Sequence, residues 1–228
     1  MTTTTPLGRR DLTALMARMT GDEKHDAAAL STLDVVWTLY HHVLDISPDR
    51  LDDPDRDRFY LSKGHGPMAF YATLAAHGYF PVEWLDHWTS VDSPLGAHPD
   101  RALIPGCEIS SGSLGHGLPL AVGTALALRA RGSRARVLVL VGDAELDEGS
   151  NDEAIAFAGA IGLDGLTVIV IDNASATHRR PHRLAARFAL ESWSTAEIDG
   201  HDPTAILGAL QPSEPGPRAV VARVEAKS

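Results

Sequence analysis

Two short runs, Val137-Leu138-Val139-Leu140-Val141 and Thr167-Val168-Ile169-Val170-Ile171, constrain this chain more than any other feature of it. Both are apolar at consecutive positions. A strand with one face in water alternates apolar and polar residues; a strand covered on both faces does not, and such strands belong to parallel sheets with helices on either side. Between the runs, Glu148–Ile161 carries Ala154, Ile155, Ala158 and Ile161 at helical spacing. Strand, helix, strand with short connections is a βαβ unit. The alternation continues on both sides. A helix is expected over 30–44, opened by Ser31 or Thr32 as its cap, then a short strand at 59–61 and helices over 67–78 and 118–129. Further on, a helix near 184–193, a strand at 196–198, a helix over 203–210 and a strand over 219–224 are expected. No internal repeat and no linker-like stretch divides the sequence. Residues 1–228 are therefore expected to form one α/β domain with a mostly parallel sheet flanked by helices, with 1–20 as a loosely ordered N-terminal helix.

A chain of 228 residues can bury roughly 70% of its unfolded surface, enough for a real core. Its formal charge of −10 argues against a general affinity for nucleic acid or anionic lipid. The single cysteine, Cys107, allows neither an internal disulfide nor a paired-thiol metal site, and is expected to behave as a small apolar residue. The opening residues lack the basic-then-apolar pattern of a signal peptide, and no apolar run approaches the roughly 18 residues that span a bilayer. The expectation is a cytoplasmic protein with no membrane partner.

In open parallel sheets, ligands sit beyond the carboxyl ends of the strands. Both buried runs end there in oxygen ligands: the first in Gly142-Asp143-Ala144, the second in Asp172-Asn173. Asp143 and Asn173 lie 30 positions apart, the length of one crossover, which puts their side chains on adjacent strand ends. One carboxylate and one amide oxygen are too few for an all-protein calcium cage. They suit Mg²⁺, which completes its octahedron with water and phosphate oxygens. The small residues Gly142 and Ala144 leave the backbone N–H groups open to a diphosphate, and the following helix aims its N-terminus at the same anion.

Gly-Asp-x followed about thirty residues later by Asn resembles the thiamine diphosphate-binding motif. The neighbouring blocks sharpen the likeness: Ser62-Lys63-Gly64-His65-Gly66, Ala97-His98-Pro99-Asp100, Pro105-Gly106-Cys107-Glu108, Ser111-Gly112-Ser113-Leu114-Gly115-His116-Gly117, Gly142-Asp143-Ala144-Glu145-Leu146 with Glu148-Gly149, and Asp199-Gly200-His201-Asp202. Together they resemble the N-terminal half of transketolase, and in particular the small bacterial subunits in which that enzyme is split over two chains. The likeness runs from about residue 20 to the C-terminus.

It implies the thiamine diphosphate-binding fold and transfer of a two-carbon ketol unit from a ketose-type donor to an aldehyde acceptor. By motif, Asp143, Asn173 and the Ser175 carbonyl would hold Mg²⁺, while Gly112, Leu114, Gly142, Ala144, Asn173 and His65 would line thiamine diphosphate. His25, His65 and His98 match the family's active-site histidines, which hydrogen-bond the diphosphate or substrate hydroxyls and relay protons near neutral pH. Glu148 matches a glutamate at the family's subunit contact. The pyrimidine-binding domain, with the glutamate that activates the cofactor, is missing. The expected partner is therefore a C-terminal transketolase-like subunit in an α₂β₂ heterotetramer. Other readings are the α-subunit of a 2-oxo acid dehydrogenase, disfavoured by the Ser-Lys-Gly-His-Gly and Ala-His-Pro-Asp blocks, and a scaffold subunit that has kept only the fold.

The sequence departs from the family pattern in several places. Ala144 stands where glycine is usual, which matters if the backbone there is left-handed. Asn173 is followed not by a glycine-containing loop but by Ala174-Ser175-Ala176 and a basic segment, His178–Arg183. A further active-site histidine of the family lies beyond the strand at 219–224, where this sequence stops at Ser228. His41, His42, His77 and His87 are more simply read as packing or surface residues, and Trp37, Trp84, Trp88 and Trp193 as core or interface anchors; His116, next to Gly115, either reaches the cofactor or serves a structural role at the helix start.

Overall fold

The computed structural model describes residues 7–21, 26–176, 183–211 and 215–226. Five strands form one sheet: β1 (Arg58–Leu61), β2 (Val137–Gly142), β3 (Leu166–Asp172), β4 (Ser194–Asp199) and β5 (Arg218–Arg223). Their spatial order is β1-β2-β3-β5-β4, and every neighbouring pair is parallel rather than only most of them. The helices are α1 (Leu12–Ala17), α2 (Asp26–Thr38), α3 (Met68–Ala76), α4 (Gly117–Ala130), α5 (Gly149–Ala160), α6 (Leu184–Leu190) and α7 (Pro203–Ala209). No helix among the described residues is long and apolar enough to cross a membrane.

The consecutive apolar runs face two cores. Leu138, Leu140, Ile169, Ile171, Val220 and Ala222 point to one side, where α1, α2, α3 and α7 cover them. Val137, Val139, Val141, Val168, Val170 and Val221 point to the other, beneath α4, α5 and α6. The edge strand β4 alternates half-buried and exposed residues, as a strand at the margin does.

Three local readings differ from the sequence expectation. Helix α2 starts at Asp26, not near Ser31. The Ser31 and Thr32 hydroxyls donate to the carbonyls of Ala28 and Ala29 inside the helix, at 2.8 and 2.9 Å, so they are not caps. The same helix ends in a π-turn, Leu39–Val43, a shift that side-chain periodicity does not reveal. Among the described residues 7–20 the α-helix is the short α1, and Leu12 and Met19 are fully buried, so this part packs into the core.

Candidate active site

Because all five strands are parallel, their carboxyl ends share one side of the sheet, and a cleft of about 910 Å³ opens there. The turn after β1 supplies Ser62, Lys63, Gly64 and His65; β2 ends in Gly142 and Asn173 follows β3; His201 follows β4 and Glu225 follows β5.

A buried carboxylate organises the floor. Glu145 is 2% exposed. Its Oε1 accepts hydrogen bonds from the Ser62 hydroxyl and from the Gly115 N–H (3.1 Å), and its Oε2 accepts from the Gly142 N–H (3.3 Å). Ser62 in turn accepts from the Gly117 N–H at 3.0 Å, and Asn151 of α5 donates to the Glu145 carbonyl at 2.7 Å. One side chain therefore ties together the ends of β1 and β2 and the loop leading into α4. Burial raises its carboxyl above the usual carboxylate range, against the pull of these donors and of Lys63. Sequence reasoning missed Glu145. The available signal was an acidic residue two positions past the Gly-Asp that closes a buried strand, where desolvation demands partners.

Glycines shape the wall. Gly112 has φ +126°, and a Cβ there would meet the His98 ring at 3.0 Å. A Cβ at Gly64 would lie 2.6 Å from Ser111 Oγ and 3.0 Å from the Gly112 nitrogen. The His65 and His98 rings meet edge to face with centroids 5.1 Å apart. His98 Nε2, Ser111 Oγ and Asn173 Oδ1 are buried polar atoms without a hydrogen-bond partner among the described residues. Such groups are costly unless something satisfies them.

Asp143, 1% exposed, lies just under the cleft surface on the strand end beside Asn173. Its Oδ1 accepts from the Ala144 N–H and the Ser175 hydroxyl (2.9 and 2.6 Å), and its Oδ2 from the N–H groups of Ser175 and Ala176 (2.7 and 3.1 Å). Ala144 opens a 3₁₀ turn, Ala144–Asp147, with right-handed backbone, so its Cβ brings no strain. The left-handed residue is Ala174, at φ 56°. It bends the chain after Asn173 back onto Asp143.

The far rim is ionic. Arg9 Nε donates to Asp34 Oδ1 (2.6 Å), and His201 bridges Asp34 Oδ2 (2.9 Å) and Glu225 Oε2 (2.8 Å). The Asp34 hydrogen bond, helped by Glu225, raises the His201 pKa above its ordinary value despite partial burial.

The structure thus brings His65, Gly112, Leu114, Gly142, Ala144, Asn173 and Ser175 to one cleft, with Asp143 and His98 directly behind its wall. His25 and most of the basic segment, residues 178–182, lie outside the described residues. Cys107 is buried away from this lining; burial pushes its thiol up to about 12, as suits a packing residue. Glu148 is exposed just before α5. Among the described residues no group of three or more His, Cys, Asp or Glu side chains could hold a metal ion. A cation here would depend on Asp143, Asn173 and oxygens that are not carboxylates. Those residues fit such a cation. The unpartnered Asn173 oxygen is an available ligand, and one carboxylate with one amide is a magnesium-type donor set. The side-chain-free turns at Gly64 and Gly112 fit a diphosphate.

Residues 14–218 match the family described as transketolase, thiamine diphosphate binding domain. The chain belongs to that family. It is 54% identical over 220 residues to "Ferredoxin fas2" of Rhodococcoides fascians, covering 96% of this chain and 72% of that protein. It is 45% identical over 145 residues to an apulose-4-phosphate transketolase subunit of Actinobacillus succinogenes, covering 64% of this chain and 52% of that one. Among solved structures, a transketolase variant from Pichia stipitis superposes with a TM-score of 0.74 at 26% identity, over 86% of this chain. The chain spans about a third of that enzyme's length (35%).

Proposed function

We propose that this chain is the diphosphate-binding subunit of a two-chain transketolase-like enzyme, moving a two-carbon ketol unit from a ketose-type donor to an aldehyde acceptor with thiamine diphosphate and Mg²⁺. The observation that carries this reading is the convergence on one cleft of a metal-type oxygen pair on adjoining strand ends and a wall of side-chain-free turns. When bound, thiamine diphosphate supplies the nucleophilic carbon and the electron sink for breaking a carbon–carbon bond beside a carbonyl. The protein's share is placement. Asp143, Asn173 and the Ser175 carbonyl would hold the cation, and Gly112, Leu114, Gly142 and Ala144 would line the diphosphate, although the Gly142 and Ala144 N–H groups that the sequence suggested for it are already donated to Glu145 and Asp143. His65 and His98, in ring contact at the cleft wall, are suited to hydrogen-bonding the diphosphate or the substrate's hydroxyls and to exchanging protons with them. Motif likeness adds His25 to this pair.

The partner is proposed to be a C-terminal transketolase-like subunit carrying the pyrimidine-binding domain, in an α₂β₂ heterotetramer. Support comes from the match to a diphosphate-binding domain and from a relative whose own name makes it one subunit of a transketolase. Glu148, exposed beside Gly115, is proposed to lie at that contact. A cytoplasmic setting fits a chain with one cysteine. The ferredoxin name of the Rhodococcoides protein does not carry over: an iron–sulfur cluster of that kind takes four cysteine thiolates, and these 228 residues hold one, buried.

The test is complementation. The chain and its candidate partner are purified separately, then assayed apart and together for ketol transfer across a panel of donors, with both cofactors. Turnover only in the mixture, lost with His98→Ala, is the expected result. Full turnover by the chain alone refutes the dependence on a partner. A mixture that binds neither cofactor leaves only a scaffold that has kept the fold.

A further inference from the structure

Asp143 is saturated without a cation. Its two oxygens offer about four acceptor positions, and four donors fill them: the Ala144 N–H and Ser175 hydroxyl on Oδ1, the Ser175 and Ala176 N–H groups on Oδ2. On the neighbouring strand end, the buried Oδ1 of Asn173 has no partner among the described residues. A cation gripped by both side chains needs a lone pair of Asp143 that a proton-bearing group now occupies, so one donor has to leave. Three of the four are backbone N–H groups. That of Ala144 is fixed by the 3₁₀ turn, and those of Ser175 and Ala176 by the left-handed kink at Ala174. Only the hydroxyl can leave by rotating one side-chain bond between staggered positions. The Ser175 N–H can stay on Oδ2 as it does so, and the loop need not open.

We propose that the Ser175 hydroxyl is the place-holder for the cation at Asp143. It occupies Oδ1 in the metal-free protein and turns away when a divalent cation enters, so this side chain sets the cation affinity without being a ligand. The proposal rests on the reading that Asp143 and Asn173 bind such a cation. The Ser175 side chain is here a positioning group, distinct from the backbone carbonyl proposed as a ligand. Its hydroxyl stabilises the loop while the metal is away and competes with the metal for the carboxylate.

The experiment uses the full chain mixed with its candidate partner subunit, saturating thiamine diphosphate and Mn²⁺ as probe. Free Mn²⁺ is followed by electron paramagnetic resonance, and the melting temperature of the metal-free protein is measured separately. Ser175→Ala is expected to bind Mn²⁺ about tenfold tighter, equivalent to ~1.4 kcal/mol, while its metal-free form melts below wild type. Ser175→Thr, which keeps a hydroxyl, is expected to return both values toward wild type. Movement in opposite directions is the signature, since a purely structural serine would weaken both. Mn²⁺ binding by Ser175→Ala no tighter than wild type overturns the place-holder, and the metal reading survives if Asp143→Asn has lost binding. Absence of Mn²⁺ binding in wild type, or undiminished binding in Asp143→Asn, overturns the metal reading and the place-holder together.

Discussion

Ala174 holds a backbone angle, φ 56°, that ordinary residues avoid. The left-handed region costs an L-residue about 1–2 kcal/mol, and the structure keeps it because the kink aims two N–H groups at Asp143. Glycine would relieve that cost while giving back part of it as unfolded-chain entropy. Ala174→Gly should therefore raise stability by about 0.5–1 kcal/mol, a gain of a few degrees by calorimetry; a lower melting temperature would show that the kink is not strained. Glu145 works in the opposite sense. Truncating it leaves Ser62 and the Gly115 and Gly142 N–H groups without their acceptor. Glu145→Ala should cost about 2–4 kcal/mol in urea unfolding, and a loss below 0.5 kcal/mol would remove Glu145 as the organising group. These two residues mark where the sequence stopped being legible. Asp143 and Asn173 could be picked out because each follows a buried apolar run, a context readable along the chain. The partners of Glu145 are a hydroxyl and amides from turns distant in sequence. The Ser175 side chain reaches Asp143 only through a left-handed kink at a residue that is not glycine.

At the scale of elements, the parallel strands were legible to within a residue or so at β2 and β3, because a strand buried on both faces has few compositions open to it. Helix α2 begins earlier than its sequence suggests. Ser31 and Thr32 look like caps, and only the structure shows their hydroxyls bonded back into a helix already under way. Besides the apolar core they share, α2 and the far end of the sheet are joined by an electrostatic contact that is invisible to periodicity. Asp34 on α2 meets His201 after β4, and His201 also meets Glu225 after β5. The pKa of His201 is raised in the folded protein relative to an ordinary value of 6.5. A raised cationic group favours the folded state most where the unfolded histidine is also protonated, below about pH 6.5, and that contribution fades as pH climbs through the raised folded pKa. The melting temperature of wild type minus that of His201→Gln should thus be largest at pH 5.5 and shrink steadily toward pH 8.5. A difference that stays flat or grows with pH would mean that the ion pairs of His201 do not fasten these elements. Because His201 is half-buried and Glu225 exposed, the effect should also weaken with added salt.

Across the whole molecule, the proposed cation and diphosphate share one cleft and need each other. Asp143 and Asn173 offer a cation too few protein oxygens to bind it tightly alone, so it must draw on phosphate oxygens. A diphosphate arriving alone meets the carboxylates of Asp143 and Glu145 beneath the cleft, with Lys63 lining it and Arg9, also in the lining, engaged by Asp34. The repulsion falls away once a divalent cation stands between them. Binding of each should therefore strengthen binding of the other by the same factor. This coupling has a thermal readout, because a ligand at 100 times its dissociation constant stabilises the folded state by about 2.7 kcal/mol, roughly 5–10 °C for a chain of this size. Thiamine diphosphate with Mg²⁺ should raise the melting temperature by that order, whereas the separate shifts from each alone should sum to clearly less. Asp143→Asn should reduce the joint shift to about that sum, since it removes the carboxylate that couples the two. Strictly additive shifts in wild type would mean that cation and diphosphate do not meet at these strand ends.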